Sequence, residues 1–268
     1  MGKTITIAIY PLNITWADKD ENIAAVDRII DKLNPLTDIL VLPELFSTGY
    51  IQDQIVLEQL SETTSGKTVT RIKEWASRAN VAIAGSYLFS AGGMMFNRGF
   101  FIEPSGEETY YDKRHLFSLS SESQIFAQGN ELPPVVRFRG WNIAMIICYD
   151  LRFPVWCRNT GHYYDIMVVP ANWPVSRGYA WKQLNIARAI ENQAIYVGAD
   201  RSGNDDFGNY DNMAMIVDSL GKPFGMVDDK TGIIYGQVDR DILEEQRRKL
   251  PFGKDADDFK INFCSDNR

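Results

Sequence analysis

A chain of 268 residues, 45% hydrophobic and 24% charged, is long enough to bury a real core in one large domain or two small ones. Its formal net charge of −7 argues against nucleic acid or an anionic membrane surface as a partner. No stretch approaches the roughly 18 apolar residues of a membrane span. MGKTITIAIYPLNITW at the start alternates like a strand and lacks the long apolar core and cleavage site of a signal peptide.

Strand and helix signals alternate along the chain. TITIAIY (4–10) has the period of a strand, and ENIAAVDRIIDKLN (21–34) has apolar residues at helical spacing, with Asp20 as cap and Pro35 past its end. TDILVLPE (37–44) reads as a buried strand ending at Glu44, and TVTRIKEWASRA (68–79) as a helix. VAIAGSYLF (81–89) is the next strand. NRGFFIEP (97–104) and EETYYDK (107–113) are β segments joined by the turn Pro104-Ser105-Gly106. WNIAMIIC (141–148) and DIMVVPAN (165–172) read as strands, WKQLNIARAIENQA (181–194) as a helix, and AIYVGADR (194–201) as the strand after it. MAMIVDS (213–219) and PFGMVDD (223–229) form a hairpin around Leu220-Gly221-Lys222, GIIYGQVD (232–239) is the last strand, and DILEEQRRKL (241–250) closes as a helix. No linker or repeat interrupts this pattern. It predicts a single α/β domain over 1–268, with its core at about 4–240 and a helix and tail at 241–268; ten or more strands favour two packed sheets over one open sheet.

Ligand supply bounds the chemistry. The only histidines are His115 and His162, and no HExxH, CxxC or EF-hand loop is present, so neither a metal nor a cofactor is expected. TSGKT (64–68) echoes a phosphate-binding loop, but Ser61 stands where its first glycine belongs and the preceding QDQIVLEQLSE is too polar for a strand; it reads as the lead-in to a helix. Cys148, Cys157 and Cys264 look like cytosolic thiols rather than a disulfide framework, which makes cytoplasm the expected location and Cys157 and Cys264 bystanders.

MIICYDLRFP (145–154) places Cys148 at the carboxyl end of an apolar strand, followed at once by Tyr149, Asp150 and Arg152. A cysteine there is a candidate nucleophile, and the thiolate is the attacking form. Glu44 ends another apolar strand, and Lys113 follows a β segment among aromatic residues; strand ends are where α/β sheets feed a shared site. Each residue also has an ordinary role: a glutamate after a strand caps or is solvated, a lysine snorkels to water, and a strand cysteine packs as a small hydrophobe. Jointly they specify a reaction. Glu44 takes the thiol proton and hands it to a leaving amine, Lys113 faces the negative tetrahedral intermediate, and the backbone N–H of Tyr149 is a second oxyanion donor. A Cys–His pair using His115 or His162 is the competing arrangement.

LPELFSTGY, YYDKRHLFS and ICYDLRFPVWCRN, in that order, closely resemble the three catalytic blocks of the carbon–nitrogen hydrolase (nitrilase) superfamily, and VVPANWP and ARAIENQAIYVGADRSG resemble its later blocks, over about residues 5 to 240. The resemblance implies a Glu44–Lys113–Cys148 triad, with Glu122 of LSSES as a second glutamate holding Lys113 or the substrate amide. It implies a four-layer α-β-β-α sandwich that pairs into homodimers or larger homo-oligomers. CYDLRFPVWCRN, KRHLF and ANWP look most like the ω-amidase branch, whose substrates are 2-oxoglutaramate and 2-oxosuccinamate. Such a substrate needs a cation for its carboxylate. Arg152, Arg177 and Arg201 are candidates by residue type, though Arg152 is also placed to pair with Asp150. Asn172 and Trp173 are expected to line the pocket, and Phe46 and Tyr50 to wall it off from water. A nitrilase, another aliphatic amidase or N-carbamoyl hydrolase, and a non-catalytic scaffold on the same fold are the alternatives.

Overall fold

The computed structural model describes residues 3–262; Cys264 lies outside them. Two sheets form, each with three parallel strands at its centre. In the first, β1 (Thr4–Ile9), β2 (Ile39–Val41) and β3 (Ala82–Ala91) run parallel. β4 (Met94–Ile102) and β5 (Glu108–Asp112) extend it antiparallel on one side. In the second, β6 (Val135–Phe138) pairs antiparallel with β7 (Trp141–Met145), which runs parallel to β8 (Ile166–Ala171) and β9 (Ile195–Asp200). Parallel strands need crossovers. Helices α1 (Lys19–Ile30), α2 (Gln54–Leu60) and α3 (Lys67–Ala79) supply them in the first half, the short α4 (Glu122–Ile125) precedes β6, and α5 (Gly178–Asn192) links β8 to β9.

The side-chain alternation of the strands decides the layers. Ile5, Ile7 and Ile9 of β1 face Ile143, Val168 and Val197 of the other sheet in one apolar core. Ala8, Leu40 and Ile83 point the opposite way and pack under Val26 and Ile30 of α1 and Ile72 and Trp75 of α3. Met167, Val169 and Tyr196 pack under Trp181 and Ala189 of α5. The result is a four-layer α-β-β-α sandwich in a single domain, as expected. Among the described residues no helix is long and apolar enough to cross a membrane.

Local differences from the sequence pattern have local causes. α1 is capped by Asp18, whose side chain accepts from the N–H of Glu21, so Asp20 falls inside the helix, which ends at Ile30. The TSGKT stretch is a helix start: Gly66 is the N-cap of α3, and the N–H of Thr68 donates to Glu62. α2 lies in a stretch read as polar, because it buries only Leu57 and is started by Asp53, which accepts from Ile55 and Val56. β6 is too short to show a period. β10 (Ser202–Asp205) and β11 (Gly208–Asp211) form a separate ribbon.

The expected hairpin splits between the sheets. β12 (Met215–Val217) pairs with β9 and β13 (Pro223–Phe224), whereas β14 (Met226–Val227) pairs with β15 (Ile234–Asp239), which in turn lies beside β1. After β15, α6 (Arg240–Lys249) sends Leu243 into the core between the sheets. Gly225 makes the switch at φ +116, and a Cβ there would sit 3.1 Å from the carbonyl oxygen of Tyr235. Gly225→Ala is expected to lower stability by about 1–3 kcal/mol, measured by urea unfolding, with little change in the shape of the site.

Candidate active site

The carboxyl ends of the parallel strands deliver the site. β2 runs on through Leu42 and Pro43 to Glu44, which is fully buried. The chain then turns sharply at Leu45, at φ +47, whose N–H donates to Ser86 Oγ at 2.8 Å. Glu44 Oε1 accepts from Lys113 Nζ at 2.8 Å and from Asn97 Nδ2 at 2.7 Å. Its Oε2 accepts from the N–H of Asn172 at 2.9 Å, just beyond β8. Three donors from three elements therefore hold one carboxylate in a single orientation.

Lys113 follows β5, pinned by its N–H to the carbonyl of Asn97. Its buried ammonium bridges Glu44 and Glu122, at 2.8 Å from each. Glu122 opens α4, and its Oε2 accepts from the N–H of Phe117 at 2.7 Å and from the Tyr50 hydroxyl at 3.3 Å. Cys148 begins a 3-10 turn (Cys148–Arg152) two residues past Ile146, in the left-handed region at φ +43. This brings Glu44, Lys113, Cys148 and Glu122 to one cavity of about 200 Å³.

One ammonium serves two acids, and this sets the protonation states. Burial pulls the Lys113 ammonium down, but the Glu122 and Glu44 carboxylates outweigh it and hold it well above the ordinary lysine value. Burial pushes Glu122 up, against the pull of Lys113 and with the help of the Glu44 charge. Burial and the Glu44 carboxylate push the Cys148 thiol well above its ordinary value, and Lys113 and the N–H of Asn172 offset this only in part. The resting sulfur thus keeps its proton beside the Glu44 carboxylate.

Tyr149, Asn172, Trp173 and Arg177 line the cavity, as does Tyr50, whose hydroxyl also meets Ser120 Oγ at 2.7 Å. Phe46 does not. It is fully buried on the other face of the first sheet, edge-on to Trp75 and Phe100, because the turn at Leu45 breaks the strand alternation. Arg152 lines the cavity and lies 4.8 Å over the Trp173 ring; it is not the partner of Asp150. Arg177 lies 5.0 Å over Phe117. Arg201 is buried elsewhere, on Asp205 and the carbonyl of Ile14. Neither histidine is among the lining residues: the Nδ1 of His115 meets Asp150, and His162 ends the turn Thr160–His162. Cys157 is buried in the core beside the carbonyl of Asp150. Among the described residues no group of three or more His, Cys, Asp or Glu could hold a metal.

Sequence reasoning missed Asn97, whose buried amide sits in the middle of a strand register where an apolar side chain would be ordinary; a lone Asn opening NRGFF was the one signal. It also missed Phe207 and Tyr210, which reach the cavity from the β10–β11 ribbon.

The carbon–nitrogen hydrolase family model matches residues 6–248. Omega-amidase YafV of Escherichia coli (strain K12) is 35% identical over 262 residues, spanning 97% of this chain and 99% of that protein. The 2-oxoglutaramate amidase of Bacillus subtilis (strain 168) is 30% identical over 249 residues, spanning 92% and 95%. A CN-hydrolase superfamily protein of Xanthomonas campestris, solved with an arsenic adduct in its active site, superposes with a TM-score of 0.91 at 32% identity, covering 98% of this chain and all of that one.

Removing the ammonium leaves two buried carboxylates facing each other. Lys113→Met is expected to destabilise the fold by about 3–5 kcal/mol at neutral pH. Glu122, already raised by burial, rises further without its cation. A group with a raised folded-state pKa disfavours folding as pH climbs through that value, so the deficit should shrink on acidification. Thermal unfolding of both proteins across neutral to mildly acid pH checks this; a deficit that grows in acid would contradict it.

Proposed function

This chain belongs to the carbon–nitrogen hydrolase family, and from that premise we propose that it cleaves the terminal amide of a small 2-oxo dicarboxylate monoamide, 2-oxoglutaramate or 2-oxosuccinamate, to the 2-oxo acid and ammonia. The supporting relatives are amidases by name, and two of them match nearly the whole chain. One observation carries the substrate class: the cavity that holds Cys148 is also lined by Arg152 and Arg177, neither of them paired with a carboxylate among the described residues. A guanidinium lying over an aromatic ring still has N–H groups to offer a planar anion. A volume of about 200 Å³ lies below the roughly 300–1,000 Å³ of sites for drug-sized ligands, which suits an acid of a few carbons.

In the proposed reaction Glu44 takes the Cys148 proton as the sulfur attacks the amide carbon, so thiolate forms only when it is used. The oxyanion that develops faces the Lys113 ammonium and the Tyr149 N–H in a water-poor site. Glu44 returns the proton to nitrogen, the C–N bond breaks, and ammonia leaves a thioester on Cys148. Glu44 then deprotonates a water molecule that attacks the thioester, and the proton passes to sulfur as the acid departs. Glu122 keeps Lys113 aimed throughout. The reading also includes one catalytic domain and a cytoplasmic location, together with assembly into homodimers or larger homo-oligomers, the last implied by the family resemblance.

Ammonia release from 2-oxoglutaramate and 2-oxosuccinamate is expected to exceed that from a panel of nitriles, with Cys148→Ala lowering it by at least about a thousandfold. Faster turnover of nitriles would sink the amide assignment, and no ammonia or acyl adduct from any amide would favour a scaffold. Replacing Arg152 or Arg177 by Gln removes charge-assisted hydrogen bonds worth about 1.5–3 kcal/mol. At least one of the two variants should raise KM for the 2-oxo acid amide by about ten- to a hundredfold, with KM for an uncharged aliphatic amide unmoved.

A further inference from the structure

Asp150, two residues after the sulfur, takes no part in the reaction as proposed. It is fully buried. Its Oδ1 accepts from the N–H of His115 at 2.9 Å and meets the His115 ring at Nδ1 at 2.7 Å. Its Oδ2 accepts from the Tyr111 hydroxyl at 2.8 Å and from the N–H of Ile147 at 3.0 Å. A carboxylate offers about four lone-pair sites, and these four contacts occupy them, so nothing is left for a substrate.

The placement of the donors is what gives these contacts meaning. Tyr111 and His115 lie two residues before and two residues after Lys113, and Ile147 is the residue immediately before Cys148. One carboxylate thus grips both flanks of the lysine and the entry to the cysteine turn, joining segments more than thirty residues apart (His115 and Asp150 are separated by 35 positions). The grip is reinforced from behind. Tyr111 Oη accepts from Trp156 Nε1 at 2.9 Å, and the His115 ring stacks on Phe153 at 3.7 Å. Cys148 needs such a restraint: a non-glycine residue held at φ +43 is strained by about 1–3 kcal/mol and persists only where its surroundings impose it.

We propose that Asp150 is a positioning residue for the reaction, a clamp that locks the Cys148 turn in register with Lys113. This rests on the reading of Cys148 as the nucleophile, not on which amide is cleaved. The spacing of two residues, repeated in Cys148-to-Asp150 and Lys113-to-His115, is then the sequence trace of the clamp.

The test measures kcat, KM, thermal midpoint and the rate of Cys148 alkylation by iodoacetamide, located by peptide mass. Asp150→Asn keeps the shape but turns one acceptor oxygen into a donor that opposes two N–H or O–H groups. In the folded variant both kcat and alkylation rate should fall by at least about tenfold, with KM within about twofold. A merely structural Asp150 would lower the midpoint and leave those two rates of the folded protein alone, and that result overturns the clamp. His115→Asn, whose amide nitrogen can stand in for Nδ1, should keep both rates within about threefold, whereas His115→Leu should lose about tenfold. Equal rates in the two His115 variants overturn the clamp even if Asp150→Asn does not fold. Absence of amide turnover in the unmodified protein would refute the proposed substrate and leave the alkylation comparison intact.

Discussion

Taking two carboxylates and an ammonium out of water costs several kcal/mol per ion, and the Lys113 ammonium, 2.8 Å from both Glu44 and Glu122, is the contact that offsets it. Burial first, and the Glu44 carboxylate second, keep the neighbouring Cys148 thiol protonated. A thiol in that state holds its proton at neutral pH. This arrangement differs from a thiolate–imidazolium pair, in which the charge is separated in advance. The chain has two histidines, and neither lines the cavity.

Such a cluster can be assembled only where several strand ends meet. Each half of the chain builds a sheet with three parallel strands at its centre, and the two sheets pack face to face through isoleucine and valine. Glu44 comes from the first sheet, and Cys148 and Asn172 come from the second. The hydrogen bonds between Glu44 and Asn172, from Asn172 N–H to carboxylate and from Asn172 Nδ2 to the Glu44 carbonyl, span the two halves directly. Sheet packing and site geometry are therefore the same constraint.

Much of this was legible in the residues. Parallel strands are buried on both faces and show as continuous apolar runs, which is why ILVLPE and MIIC stand out and why the polar residue ending each run is conspicuous. The α1, α3 and α5 helices carry clear apolar stripes. Elements with little to bury left no trace: α2 buries one leucine, β6 has four residues, and the β10–β11 ribbon is largely polar. The 223–229 segment reads as one strand of a hairpin, yet the glycine at its middle sends its two ends to different sheets.

What the sequence determined by itself was the kind of chemistry: a thiol, an acid and an amine at the ends of buried segments, in a chain with almost no histidine and no metal-binding pattern. The number of strand segments favoured two packed sheets, while the four-layer order was implied by the resemblance to the carbon–nitrogen hydrolase superfamily. The tertiary structure decided where each neighbouring side chain points. Phe46 stands two residues from Glu44 and would share its face in a regular strand, but a left-handed turn at Leu45, which no leucine announces, turns it into the core behind the sheet. Asn97 and Asp150 acquire their roles only from partners 53 and 35 positions away. Backbone reversals and long-range hydrogen bonds depend on packing between segments, and packing is not a local property of the chain.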